Sequence, residues 1–542
     1  MRVVVFTMAF WAVSIAYGEP PHTDRAGGLY STQIRFDRAN VPMVTLGLVD
    51  GKKEVTLSAK GRIRILVDGP GGTEIITEPG RRWRVTLEDV RPAETHWNVR
   101  LGAYPSSDLK QIQDARKQWR GRHIPVKSLD MGSVFGFAGK VLSSQSAVLL
   151  TEKDYGSQQG ASVAAARLSS TYGVDAEAFP RINKRANALI SVTDGLMTVR
   201  ARDVLWLEPT HPDGAITVEA VEFGKGFHWH GREDRQYRGT LYVTVGRTGG
   251  LVVGNMVSVE TALKGLVPAE MIASAPNEAL KAQAVTARGE LLAKIGHRHL
   301  ADPYLVCADV HCQVYAGTKR EDDRTSRSIQ ETHGLVLFNH DRLVDSVYSA
   351  NCGGHTEHSH TVWKGGPSKT LQGKADGGSS LNFLNNEAVR SWILSPPKTH
   401  CSHHAAGSRN FRWDRKVAVD AVRAWMRTHA TDPGPIRSLN VMRRGVSGRA
   451  LQVVLEGANA RVDVTGELRI RSMFGSLRSS LFVVDLLRNT DGNVAEFSFH
   501  GGGFGHGVGM CQDGAVGMAH KGHSYQDILK QYYTGVFVDR IY

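Results

Sequence analysis

Beyond its opening residues the chain has no apolar run approaching the roughly 18 residues that a membrane span requires, which excludes transmembrane helices further along. It also has no block of five or six lysines and arginines, although 66 basic side chains against 53 acidic ones leave a formal charge of +13. The positive excess is dispersed, so it attracts anionic surfaces without singling out a partner. Cysteine is scarce. The five thiols, Cys307, Cys312, Cys352, Cys401 and Cys511, are odd in number, which excludes complete pairing within the chain. In an oxidising compartment at least one is then free, metal-bound or intermolecular. The glycine-rich stretch Gly501-Gly502-Gly503-Phe504-Gly505-His506-Gly507-Val508-Gly509 lacks the Lys-Ser/Thr step of a nucleotide loop, which argues against a phosphate cradle there.

What is present is the composition of a folded protein, 41% apolar and 22% charged over 542 residues, enough for three or so domains at about 100–200 residues each. Met1-Arg2, the apolar run Val3 to Ala16 and the small residues around Gly18 have the parts of a secretory signal (1–18). Its removal predicts an extracytoplasmic protein, in periplasm or cell wall, with no stable membrane span; an uncleaved anchor is the competing reading. The polyanions in reach there are the wall and lipid headgroups, and no nucleic acid is expected as a partner.

Residues 28–95 alternate short β-forming runs with turns at Asp50-Gly51, Lys60-Gly61 and Asp68 to Gly72, which predicts a small antiparallel β domain without a cluster of chemistry-bearing side chains. Residues 96–175 read as strand, helix, two strands and helix, a small α/β module. The β pattern returns from Ala188. Glu260 and Glu270 follow it; they are candidate cleft carboxylates, although solvated or helix-start roles are commoner for such residues.

Residues 276–295 predict a helix that starts at Pro276-Asn277. Leu280, Ala284, Ala287, Leu291 and Ile295 form one apolar stripe, and Ala282, Val285, Gly289, Leu292 and Ala293 form a second on the other side. A helix apolar on two faces is a buried helix. Glu278 stands in its first turn, where two readings compete: a dipole-favoured surface residue, or a desolvated carboxyl able to hold a proton for acid catalysis.

Cys307-Ala308-Asp309-Val310-His311-Cys312 places three metal-preferring side chains within six residues, and His299 or His297 adds a fourth from the helix end. Zinc suits that set, in a structural role. A disulfide between Cys307 and Cys312, or from either to Cys352, is the open alternative, and Cys352 with His355 is a second way to complete a metal site. Cys401-Ser402-His403-His404 reads as incidental. His355, Glu357, His358 and His360 crowd one loop and face either a ligand or solvent.

The stretch VPAEM followed by PNEALKAQAVTAR, then QVYAG (313–317), SANCGGHTE (349–357) and GGGFGHGVGMCQDGAVGMA (501–519), resembles the SpoIID/LytB family of peptidoglycan enzymes over roughly residues 235–542. The resemblance implies an α+β multidomain protein with β-rich N-terminal modules and a SpoIID-like mixed α/β catalytic region with a central helix, 188–542. It implies a lytic transglycosylase that cleaves MurNAc-GlcNAc bonds to leave 1,6-anhydroMurNAc ends, with Glu278 as general acid and then base, no organic cofactor, and peptidoglycan glycan strands as substrate. His506 and Gln512 match the family's His and Gln; with Gly505, Gly507, Tyr315, Gly353 and Gly354 they are the expected substrate contacts, His506 having a purely structural role as its alternative. Some relatives hold zinc in the segment matching His299, Cys307, His311 and Cys312. The family also includes noncatalytic wall binders that stimulate a cell-wall amidase. Cys352 and Cys511 depart from the family pattern, in which Ser or Thr is usual, and residues 96–175 faintly resemble the SPOR-type wall-binding module.

Overall fold

A computed structural model describes residues 26–542 except 68, 70–71, 133, 138–139, 144, 173, 175, 226–229, 364–365, 379–384 and 403–407. The expected signal (1–18), with His403 and His404, lies outside the described residues. The fold is α+β and multidomain.

The strands before residue 95 do not make a domain of their own. Pro42–Lys52 pairs antiparallel with Leu251–Ser258, Thr45 opposite Met256, in a sheet that continues through Thr240–Val245, Val204–Pro209 and Ile63–Leu66. A second sheet interleaves Glu54–Ser58 and Arg82–Arg91 with Asn187–Thr193 and Ile216–Phe223. Val44, Leu46 and Val243 of the first sheet share one core with Leu57, Val85, Ile190 and Val218 of the second, a β-sandwich. The expected boundary at residue 95 fails because alternation reveals which face of a strand is buried but not which partner covers its edge.

Residues 94–184 are inserted into that sandwich as a unit with its own core. Glu94–Pro105, Val126–Met131, Ser146–Thr151 and Glu177–Lys184 form an antiparallel sheet in which Glu94–Pro105 lies between the last two. Two helices, α1 (Leu109–Gly121) and α2 (Gln158–Tyr172), accompany it. Trp97, Val99, Ala115, Trp119, Leu149 and Ala161 fill the interior. The final strand, Glu177–Lys184, extends the unit past the expected end at residue 175.

Two helices connect the sandwich to the C-terminal half: α3 (Val259–Glu270), capped by the Ser258 hydroxyl, and α4 (Asn277–Lys294). α4 is buried on both sides, and its burial divides along its length. Ala279, Leu280, Ala282 and Val285 pack into a core with Met510, Ala515 and Tyr532, whereas Ala284, Ala287, Leu291 and Leu292 belong to the sandwich core. Burying one such leucine stabilises by about 1.5–3 kcal/mol, so α4 welds two cores. Its polar residues are paired inside. Arg288, without exposed surface, holds the Glu260 carboxylate through two bonds of 2.7 and 3.0 Å, so Glu260 is a structural ion partner, at the edge of a cavity it lines with Lys264 and Arg327. Among the described residues no helix is long and apolar enough to cross a membrane.

Candidate active site

Glu278 lies where the helix start was predicted, but not in the dry setting anticipated for it. Its side chain is 33% exposed, and its carboxylate accepts from Lys281 Nζ at 3.0 Å. The other oxygen accepts from the Tyr525 amide at 2.8 Å, and Lys281 also bridges to Glu331 at 2.8 Å. The helix start opens onto solvent because α4 is covered from Ala279 onward, not before it.

The desolvated carboxyl belongs to Glu270, the last residue of α3. Pro268 just precedes it, and α3 stops at Met271, whose backbone is extended. The Glu270 side chain packs beside Val314 and Tyr348, where Val314 N–H approaches it at 3.4 Å and the Tyr348 hydroxyl bonds to it. Beneath lies a buried polar floor. Lys294 Nζ donates to Glu290 at 2.5 Å, Gln313 donates to Glu290 at 2.8 Å and to the Tyr348 hydroxyl at 3.3 Å. Burial, and then the negative charge of Glu290, push the Glu270 carboxyl up to about 7. Near neutral pH it therefore holds a proton for a large share of the time, the property a general acid needs.

The glycine-rich loop forms the neighbouring wall. Met510–Cys511 pairs parallel with Tyr348–Ser349, which carries the loop against Tyr348. Close approach explains the glycines: at Gly509, φ +71°, a Cβ would stand 1.9 Å from the Val347 carbonyl oxygen. His506 accepts from the Val508 amide through Nδ1 at 3.0 Å and bonds the Tyr348 main chain as well. Burial and the charges of Arg449 and Arg471 hold its ring down at about 3, so it stays neutral. With both partners inside the fold, His506 is held against Tyr348, and it remains partly exposed. Its ring meets the edge of Trp363, 46% exposed, an aromatic surface on the rim suited to a sugar face.

The other expected contacts divide. Gln512 donates to the Glu270 carbonyl and to Gln283 Oε1, both at 3.1 Å, and so fixes the main chain of the acid. Gly505 remains partly open beside Ser349. Gly507 instead packs on the Arg449 guanidinium, and Gly353 and Gly354 pack on Leu481 and Trp392, all three buried. Tyr315 is a core residue that donates to Asn255 at 3.0 Å and packs on Tyr237. In the histidine-rich loop, Glu357 is fully buried and accepts from Ser447 and Thr361, which keeps it inside the fold.

The predicted metal ligands do converge. One ligand atom each of His299, Cys307, His311 and Cys312 lies within 4.8 Å of the others. Cys312 Sγ is 3.4 Å from His299 Nε2 and 3.5 Å from His311 Nδ1, which is 3.7 Å from Cys307 Sγ. Tetrahedral zinc, with bonds of about 2.0–2.3 Å, requires such spacings. Asp302 bonds His299 Nδ1 at 2.9 Å, the outer carboxylate that fixes a ligating imidazole. All five thiols are free, and Cys352 belongs to a different cluster, with Cys401, Cys511 and Asp376. Lys294 reaches the Cys312 carbonyl at 2.5 Å, tying the first cluster to the polar floor beneath Glu270.

Two residue sets escaped the sequence reading. For Glu270 the sequence favours a solvated role; the signal for burial is its place at the end of an apolar helix, just after Pro268. The grouping of Asp376 and Cys401 with Cys352 and Cys511 has no local signal.

Residues 247–339 match the family model for stage II sporulation protein, SpoIID, and residues 357–509 match a domain of unknown function, DUF8618. The chain is 27% identical over 291 residues to the amidase enhancer of Bacillus subtilis, covering 50% of this chain and 39% of that protein. It is 25% identical over 308 residues to stage II sporulation protein D of the same organism, covering 54% and 77%. An uncharacterised protein of Brachyspira hyodysenteriae is 25% identical over 362 residues, covering 66% of this chain and 83% of that one.

Proposed function

The chain belongs to the SpoIID/LytB family, and from that premise we propose that it is an exported lytic transglycosylase of peptidoglycan glycan strands, with Glu270 and not Glu278 as proton donor. The observation that carries this reading is the Glu270 carboxyl, pushed up to about 7 where it packs against Val314 and Tyr348 of the family motifs. Protonated Glu270 delivers its proton to the glycosidic oxygen between MurNAc and GlcNAc as that bond breaks. The resulting carboxylate then takes the proton of the MurNAc 6-hydroxyl while its oxygen attacks the anomeric carbon, closing the 1,6-anhydro ring. The nucleophile is intramolecular, so positioning supplies much of the rate. Tyr348 and the Gln512 anchor hold the acid in place between the two steps.

A hydrolase would need a second working carboxylate. Glu290 is bound to Lys294 and Gln313, which makes it a poor one. Asp345 is exposed near the same lysine and is the group such a route would use. The zinc expected at His299, Cys307, His311 and Cys312 fits the donor set; four protein ligands close the site, so its role here is to brace the loop after α4. The inserted α/β unit is a candidate wall-binding module. A second reading, a noncatalytic wall binder that stimulates an amidase, is favoured by the similarity to a protein named amidase enhancer.

The test is digestion of purified glycan strands followed by mass spectrometry. Anhydro ends are expected; reducing ends would convict a hydrolase, and wall binding without cleavage would favour the second reading.

A further inference from the structure

Behind the glycine-rich wall, Cys352, Asp376, Cys401 and Cys511 come from four separate segments, and each has no exposed surface. One ligand atom of each lies within 4.8 Å of the others. The sulfurs of Cys352 and Cys401 are 3.8 Å apart. That is far from the about 2.05 Å of a disulfide, and it is the edge of a tetrahedron of sulfurs about 2.3 Å from a central zinc. From these positions we propose a second metal site, in which the thiolates of Cys352, Cys401 and Cys511 and the Asp376 carboxylate hold one zinc ion.

The surroundings are arranged for anionic ligands. Cys511 Sγ accepts the Cys352 amide at 3.1 Å and the Gly514 amide at 3.4 Å, the latter at the start of the helix Gln512–His520. The Thr399 hydroxyl lies 3.4 Å from Cys401 Sγ. Asp376 is oriented by the Tyr532 hydroxyl at 2.5 Å on one oxygen and by the Cys401 amide at 2.7 Å on the other, the kind of outer hydrogen bonding that fixes a ligating carboxylate. Gly514 leaves the room: a Cβ there would strike the Tyr532 hydroxyl at 2.1 Å and Asp376 Oδ1 at 2.6 Å. Three thiols and a carboxyl gathered without water are costly to ionise alone, and a divalent cation supplies the compensating charge. Binding releases the thiol protons to solvent and changes no oxidation state.

Four protein ligands leave no open position for water, so the ion is structural. Its place gives it a purpose. Cys511 pairs with Ser349, next to Tyr348, and precedes Gln512, so the ion clamps the wall that positions the Glu270 side chain and main chain.

The experiment is metal analysis of the full-length protein, purified with zinc and dialysed against a weak chelator. Two zinc ions per chain are expected, one in Cys401→Ser/Cys511→Ser and one in Cys307→Ser/Cys312→Ser. X-ray absorption at the zinc edge of the wild type avoids dependence on the folding of the variants: between two and three sulfurs per zinc are expected on average. A wild type with a single zinc in a two-sulfur, two-nitrogen shell would overturn the proposal, as would a Cys352–Cys401 disulfide in non-reducing mass spectrometry. None of these readouts involves glycan cleavage, so they stand or fall apart from the proposed activity.

Discussion

Glu270 and Glu278 flank one tight turn between α3 and α4, yet they live in different solvents. Glu278 is a third exposed and meets a lysine and a backbone amide that point at it. Glu270 sits over a buried ion pair, where desolvation and a neighbouring negative charge both resist its ionisation. Part of the difference lies in what packs on each residue, and part in the helix ends themselves, since Glu270 closes α3 at its negative end and Glu278 opens α4 at its positive end. A carboxyl becomes an acid where burial and neighbouring negative charge outweigh the groups that favour its ionised form, and at Glu270 desolvation and Glu290 outweigh Lys294 and the Val314 amide.

The widest separation is expected in activity. Glu270→Gln should lower anhydro-product formation by roughly 10²–10⁴-fold, the range for removing a general acid, with the fold intact by circular dichroism. Glu278→Gln should stay within about tenfold of wild type; equal losses would erase the distinction. Next comes Asp345→Asn: anhydro ends should persist at a similar rate, and a collapse in turnover with reducing ends in the wild type would assign the reaction to a two-carboxylate hydrolase.

The pH dependence sharpens the contrast further. Because the donor must be protonated, kcat should fall as pH rises through about 7, and Glu278→Gln should leave that limb where it is. Stability should show the same group with the opposite consequence. The folded value of Glu270 is raised from 4.5 to about 7, so ionisation weakens the native state between those pH values and by a constant amount above them. Glu270→Gln should therefore gain little stability at pH 4 and about 3 kcal/mol at pH 8 in urea denaturation. The smallest effect is expected from Lys281→Met, at most about 1 kcal/mol, because its partner Glu278 is a third exposed and screened.

Local pattern carried much of this architecture. The family motifs, the two apolar faces of α4 and the tight spacing from Cys307 to Cys312 each lie within a few turns of chain, and periodicity or ligand chemistry reads them directly. Glu270 was different: its desolvation depends on Glu290, Gln313 and Tyr348, which approach it only in the folded chain. The set of Cys352, Asp376, Cys401 and Cys511 was hidden for the same reason, since long and unequal intervals separate its members. The pairing of the strands before residue 95 with those after 187 is also nonlocal, because a strand carries its facing pattern in sequence but not the name of its neighbour.

The most direct measurement is a ¹³C titration of glutamate side-chain carboxyls in wild type and Glu270→Gln. The resonance absent from the variant should titrate in the wild type with a midpoint near 7. A midpoint for that resonance in the ordinary carboxylate range, about 4–5, would show that the fold does not withhold water from Glu270, and the proposed acid would be lost.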